Sequence, residues 1–187
     1  MASVEIAYRA ELAGVPERPP SEFPDLPPLV LDAASLQFLG TARPVPRFGA
    51  STLAARVLLA SSGREVRGVS LVGESYALAV WIARNRTPEA ALASALAAMP
   101  FGEDCIGIED AALRYMHQPL RQLDAARIAA LVVLARSPRL VADRDTWRAE
   151  RDALLGSLRA RGAIDDARLH EATARPIVPS DWEVRPR

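Results

Sequence analysis

The chain has 187 residues, half of them hydrophobic and a quarter charged, and its 23 basic and 23 acidic side chains balance to a formal net charge of zero. This length predicts one domain with a buried core, and the composition excludes a chain that is disordered throughout. Zero net charge argues against bulk attraction to nucleic acid or to an anionic membrane surface. The single cysteine, Cys105, excludes an internal disulfide and a cysteine-held metal cluster.

The N-terminal segment, residues 1–28, is predicted to be an extended leader, because it is rich in proline and proline blocks helix continuation. Within it, only Val4–Ala7 shows strand-like alternation. The first residues show neither the basic region nor the apolar core of a signal peptide, and no apolar run approaches the roughly 18 residues of a membrane helix. These features alone indicate a cytoplasmic chain without a transmembrane segment, and they leave the compartment in which it acts open.

The rest of the chain predicts helices joined by short links, so the expected fold class is mainly α, in a single domain. Ser51 and Thr87 are typical N-caps, and glycine or proline follows most of the helical segments. Eight helical segments are predicted: 29–39, 51–59, 69–84, 87–99, 108–116, 125–135, 143–161 and a short one from 165. The tail, residues 176–187, is expected to be irregular.

The core is predicted to lie in two alanine-rich helices. These are the helices at 90–99 and 125–135, which carry few charged side chains. Trp147 and Leu154 share one face of an amphipathic helix, so we expect them to flank this core.

Several segments resemble one known family in their order and spacing. Residues 101–115 are similar to the family segment F-G-x-x-x-Y-G-I-E-A-A-A-x-x-Y, and residues 150–164 resemble E-R-R-x-x-V-L-x-x-M-x-x-x-G-x-I. Residues 49–53 resemble G-x-S-T-I, and residues 119–134 resemble an alanine-rich helix of the same family. The family is the bacterial peptidoglycan glycosyltransferase domain, glycosyltransferase family 51.

The resemblance implies a lysozyme-like helical fold over residues 29–175. It also implies a cell-wall activity, the polymerisation of a lipid-linked disaccharide–peptide at the periplasmic face of the inner membrane. In such enzymes a glutamate in an E-D-x-x-F motif acts as general base on the acceptor sugar hydroxyl. The corresponding region, residues 29–47, offers Asp32 as its only carboxylate. We therefore expect a divergent member that lacks the main catalytic glutamate.

Two further departures concern the motif that follows. The family's S-T-I-T-Q-Q is represented by Ser51-Thr52-Leu53-Ala54-Ala55-Arg56, so both glutamines are replaced. The segment between the first two motifs, which forms a membrane-touching lid in the family, is short. Ser51 and Thr52 remain candidates for substrate binding, and the alternative for both is an N-cap role.

Glu74 is the candidate catalytic residue. By the family's spacing, a second glutamate, which helps to hold the donor diphosphate and a metal, falls at Glu74 or Ser75. A divalent metal such as magnesium is thus the implied cofactor if the chain is active. Arg64 and Arg67 are candidates for diphosphate binding, because guanidinium groups suit phosphate oxygens. The alternative for all three charged residues is a solvated surface role.

Three functions follow from these observations. The first is a transglycosylase-like pseudoenzyme that binds a peptidoglycan precursor, a glycan strand or a cell-wall synthesis protein. The second is an active peptidoglycan glycosyltransferase with a rearranged site around Glu74. The third is a helical interaction protein that shares only the fold. A cleft with two facing carboxylates near Ser51 would favour the enzyme, and a filled cleft would favour the interaction protein.

Overall fold

The structure is a computed structural model that describes residues 26–41, 43–62, 69–102 and 104–177. Eight α-helices and one two-stranded ribbon lie within these ranges, which confirms the prediction of a mainly α fold. The elements are α1 Pro28–Leu39, α2 Arg47–Ser61, α3 Val69–Asn85, α4 Pro88–Ala98, β1 Pro100–Gly102, β2 Cys105–Ile106, α5 Ile108–Met116, α6 Ala125–Arg136, α7 Arg144–Ala160 and α8 Asp166–Ala174. Two 3₁₀ turns, Leu120–Gln122 and Pro138–Ala142, flank α6. None of the helices within these ranges is long and apolar enough to cross a membrane.

Four of the eight described helices begin with a side-chain cap. The Thr87 hydroxyl accepts from the backbone N–H of Ala90 at the start of α4, and carboxylates cap α6, α7 and α8 in the same way. Helices α1, α2 and α5 have no such cap, so Ser51 does not cap α2. The helix that it was predicted to cap begins four residues earlier, at Arg47, so the N-cap prediction for Ser51 and Thr52 is wrong. Val4–Ala7 and most of the predicted leader lie outside the described residues.

Helix α6 is the centre of the core. Every residue from Ile128 to Ala135 is buried, and the helix packs against α1, α7 and α8 as well as the β1 strand. The indole N–H of Trp147 on α7 donates to the carbonyl oxygen of Ala130 on α6 at 2.8 Å, inside the protein. Residues 91–96 of α4 are also buried, as is Leu154. The predicted location of the core is therefore confirmed.

The β1–β2 ribbon depends on two glycines. Tyr115 donates its hydroxyl proton to the carbonyl oxygen of Phe101 at 2.9 Å, and a Cβ on Gly102 would lie 2.7 Å from that hydroxyl. Gly107 has a φ of +93°, and a Cβ there would meet the backbone oxygen of Ala97 at 2.8 Å. Only glycine fits both positions without a shift of its neighbours. The glycines of the 101–115 segment are thus explained by packing.

A buried arginine holds the C-terminal helix in place. The Arg151 side chain on α7 is fully buried, and its guanidinium donates to the carbonyl oxygens of Arg175 at 2.8 Å and Thr173 at 3.4 Å. Its Nε also donates to the Asp152 carboxylate at 2.8 Å. These contacts satisfy backbone acceptors at the end of α8 that no helical N–H can reach. Arg151 therefore links α7 to α8 from inside the protein.

We expect Leu131→Ala to lower the free energy of unfolding by about 2–5 kcal/mol, because it removes a buried side chain from the most enclosed helix. Leu113→Ala on α5 is the matched control. That leucine is 54% exposed, so its truncation should change stability by about 0.5 kcal/mol or less. Urea denaturation followed by circular dichroism measures both. Equal losses for the two variants would show that the core lies elsewhere.

Candidate functional site

The predicted site residues that the structure describes, Ser51, Thr52 and Glu74, belong to a unit of three helices in which α2 packs against both α3 and α4. Small side chains line this face of α2, because Ala50, Ala54 and Ala55 are fully buried. Outside the packed face, the Arg47 guanidinium donates to the carbonyl oxygens of Ala83 at 2.6 Å and Arg86 at 3.2 Å. These bonds satisfy carbonyls at the end of α3 and fix where α2 begins.

Ser51 and Thr52 use their hydroxyl protons within α2. The Ser51 hydroxyl donates to the carbonyl oxygen of Arg47 at 2.8 Å, and the Thr52 hydroxyl donates to that of Phe48 at the same distance. Ser51 is fully buried, so it offers no surface to a substrate in this structure, whereas Thr52 is partly exposed. Thr52 thus remains accessible for the predicted substrate contact, and Ser51 contributes to helix packing.

Glu74 lies on α3, partly buried, at the edge of the face that packs on α2. The buried residues of this helix, Leu78, Ala79 and Ile82, define that face. Ser75 falls on the same face by helical spacing, because residues three and four apart lie together. The described residues include no group of three histidine, cysteine or acidic side chains placed to hold a metal. Arg64 and Arg67 lie outside the residues that the structure describes.

An exposed apolar edge lies on another side of α3. Phe48 and Tyr76 make an edge-to-face ring contact at 6.3 Å, and they are 56% and 63% exposed. Val72, one helical turn before Tyr76, is 70% exposed. Because residues two apart on a helix point in nearly opposite directions, Tyr76 and Glu74 do not face the same space. The aromatic pair and the candidate carboxylate therefore cannot form one compact site.

Asp32 is held in an ion pair that the sequence did not reveal. Its carboxylate accepts from Arg43 Nε at 2.5 Å and from Arg43 Nη2 at 3.0 Å, and its side chain is only 7% exposed. The hydrogen bond and charge of Asp32 raise the pKa of Arg43. Arg43 is the only charged side chain in the link 40–46 between α1 and α2. Its presence there is a weak sequence signal that it pairs with Asp32. Both carboxylate oxygens are engaged, so neither is directed at a substrate hydroxyl.

Two surface cavities lie away from these residues. One, of about 260 Å³, lies between the N-terminus of α6 and one side of α8. There, Asp124 accepts from Arg175 at 2.9 Å, and Arg175 also donates to Glu171. The other, of about 340 Å³, lies between the C-terminal end of α1 and one face of α7. Its polar lining residues are Gln37, Glu150, Ser157 and Arg161. No motif indicated either cavity, because each joins residues far apart in the chain.

The remaining reactive side chains fit structural or surface positions. Cys105 is buried in β2, and this burial raises the pKa of its thiol, so little of the nucleophilic thiolate forms at neutral pH. His117, directly after α5, and His170, on α8, are both exposed, as the sequence predicted.

Comparison with known proteins supplies a family. A family model described as a transglycosylase matches residues 32–159, which extend from α1 to the last turn of α7. No curated protein matches the chain significantly.

The Asp32–Arg43 pair predicts unequal effects of its two truncations. Arg43→Ala leaves a buried carboxylate without its partner, so we expect a loss of about 2–3 kcal/mol in the free energy of unfolding. Asp32→Asn leaves the half-exposed Arg43 to be hydrated and keeps an oxygen acceptor, so the loss should be about 1 kcal/mol or less. Urea denaturation at neutral pH measures both variants. A larger loss for Asp32→Asn would contradict this account of the pair.

Proposed function

The chain belongs to the transglycosylase family, since the family match covers about two thirds of its length, and we propose that it binds a peptidoglycan glycan strand without polymerising it. The proposal combines a retained helical scaffold with the loss of the chemistry that the family fold usually carries. Fold and chemistry are separable, because an enzyme's activity depends on a few side chains placed on the scaffold.

The ion pair of Asp32 is the observation that carries this proposal. The region in which the resemblance places the catalytic base contains no other carboxylate. A general base must have an accepting atom within hydrogen-bond reach of the substrate proton. Asp32 is buried and both of its oxygens accept from Arg43, so neither oxygen is presented to a substrate proton. A base contributes roughly 10²–10⁴ in rate, and its loss alone would suppress turnover.

The path from α1 to α2 supports the same conclusion. The link between these helices spans residues 40–46, and within it Val45 is buried against the core. A methyl carbon of Leu39 lies 3.4 Å from the position that a Cβ on Gly49 would take. The C-terminal end of α1 and the N-terminal end of α2 are therefore in close contact. The link is short, and it is held by the Arg43–Asp32 ion pair and by the burial of Val45. It therefore leaves little chain to close over a bound lipid-linked sugar.

The magnesium ion that the resemblance implies has a poor fit to the described residues. Divalent metals in phosphate-handling sites usually rest on one or two carboxylates together with substrate oxygens. Glu74 is the only acidic candidate, and no three-ligand group includes it within the described ranges. Glu74 alone would hold the ion weakly, so we assign no step to a metal.

Two alternatives have their own support. An active transglycosylase is favoured by the position of Glu74 on α3, close to where the family spacing requires an acid. A cell-wall protein as the partner is favoured by the exposed edge of Phe48, Val72 and Tyr76, because apolar side chains clustered on a surface often mark an interface. Neither feature supplies the missing base, which argues against the active enzyme. We favour a glycan over a protein partner because the α1–α7 cavity has a polar lining that suits a sugar.

We expect the purified chain to form no glycan polymer from lipid-linked disaccharide–peptide. The physical reason is that Asp32, the only carboxylate in residues 29–47, is buried and paired with Arg43, whereas stabilisation of the departing diphosphate is a separate electrostatic contribution. A gel assay of chain formation, with an active family member in parallel, makes the measurement. Pull-down with insoluble peptidoglycan should show binding by the same preparation.

Two variants make this test specific. Polymer formed by the unmodified chain would contradict the proposal. If this activity is lost in Glu74→Gln and retained in Glu109→Gln on α5, the chemistry is assigned to Glu74. Absence of both polymer and peptidoglycan binding would contradict the glycan-binding role and leave the protein-partner alternative.

A further inference from the structure

The cavity between α1 and α7 carries polar groups whose hydrogen-bonding capacity is not used. Gln37 makes no side-chain hydrogen bond, and Arg161 no ion pair, to any part of the chain that the structure describes. Glu150 accepts from Arg136 through Oε2 at 3.2 Å, which leaves Oε1 available. Ser157 donates to the carbonyl oxygen of Ala153 at 3.0 Å, so its oxygen can still accept. The cavity thus has donors and acceptors side by side.

Part of the lining of the same cavity is apolar. Leu36 from α1 and Leu154 from α7 line it. A pyranose ring has the complementary character, since its C–H faces are apolar and its hydroxyl groups, each both donor and acceptor, point outward. Ligand pockets usually have volumes of about 300–1,000 Å³, so this cavity lies at the small end and suits one sugar ring.

The charges of the cavity favour a neutral ligand. One acid, Glu150, and one base, Arg161, line it, so the lining has no excess of either charge with which to bind an ion, and Glu150 is also paired with Arg136. The cavity beside α8 differs, because its Asp124, Glu171 and Arg175 are already paired with one another. That second cavity therefore offers fewer unused groups to a ligand.

We propose that the α1–α7 cavity is a binding site for a neutral N-acetylated pyranose unit of a glycan strand. Gln37 and Arg161 bind its hydroxyl or acetamido oxygens, Oε1 of Glu150 accepts from a hydroxyl, and Leu36 and Leu154 contact the ring face. This assignment rests on the proposed glycan-binding function and adds the location and the class of sugar.

The test is a titration of the full chain with chitotetraose, a neutral tetramer of N-acetylglucosamine, followed by calorimetry or by amide chemical shifts. We expect Gln37→Ala and Arg161→Ala each to weaken binding by about tenfold, through the loss of one or two hydrogen bonds. Both residues are at least partly exposed, so the variants should fold, and circular dichroism checks this. Arg168→Ala, which alters the cavity beside α8, is the matched control and should bind as the unmodified chain does.

Other outcomes separate this site from the proposed function. Chitotetraose binding that is unchanged in Gln37→Ala and Arg161→Ala would overturn the site and leave glycan binding intact. Binding to insoluble peptidoglycan but not to chitotetraose would do the same. Binding to neither would overturn both proposals. If inorganic pyrophosphate binds to the unmodified chain and this binding is lost in Arg161→Ala, the cavity is an anion site. That result would contradict the assignment to a neutral sugar.

Discussion

The burial of α6 is the constraint on which the rest of the structure depends. A helix that is enclosed along most of its length can exist only if several other helices each present an apolar or small-residue face to it. Helices α1, α7 and α8 do so. Within this packing, the indole N–H of Trp147 donates a hydrogen bond to the carbonyl oxygen of Ala130. The alanines of α6 let its neighbours approach closely. This arrangement fixes the position of α1, whose C-terminal end contributes both to the link toward α2 and to the α1–α7 cavity.

The proposed loss of chemistry follows from what this scaffold places along α1 and the link after it. The resemblance places an accessible base in this region, and the chain has there a buried carboxylate, Asp32, in contact with Arg43 of the link. The pair joins α1 to the link and thereby stabilises the region in which the resemblance places catalysis. The same scaffold leaves a cavity lined by unused polar groups on the α7 side of α1. The proposed loss of turnover and the proposed glycan binding are therefore compatible within one fold.

The elements that the sequence predicted are those that depend on local contacts. Thr87 caps α4 through a bond three residues away, and the core positions of α6 follow from an unbroken apolar run. The start of α2 was misplaced because it depends on Arg47 reaching carbonyls 36 and 39 residues away, and no local pattern indicates such a contact. The partner of Asp32 and the two cavities were missed for the same reason. Glu74 as a catalytic residue remains a prediction, as does the substrate contact of Thr52.

The most direct test of the central claim is to recover bound substrate. Lipid-linked disaccharide–peptide is incubated with an excess of the chain, and mass spectrometry then follows the bound fraction over time. A chain that binds glycan but lacks an accessible base should return the disaccharide unchanged, at the rate of a sample without protein. Conversion of the bound disaccharide into a tetrasaccharide faster than in that sample would contradict the account, because it would require a base other than the buried, paired Asp32.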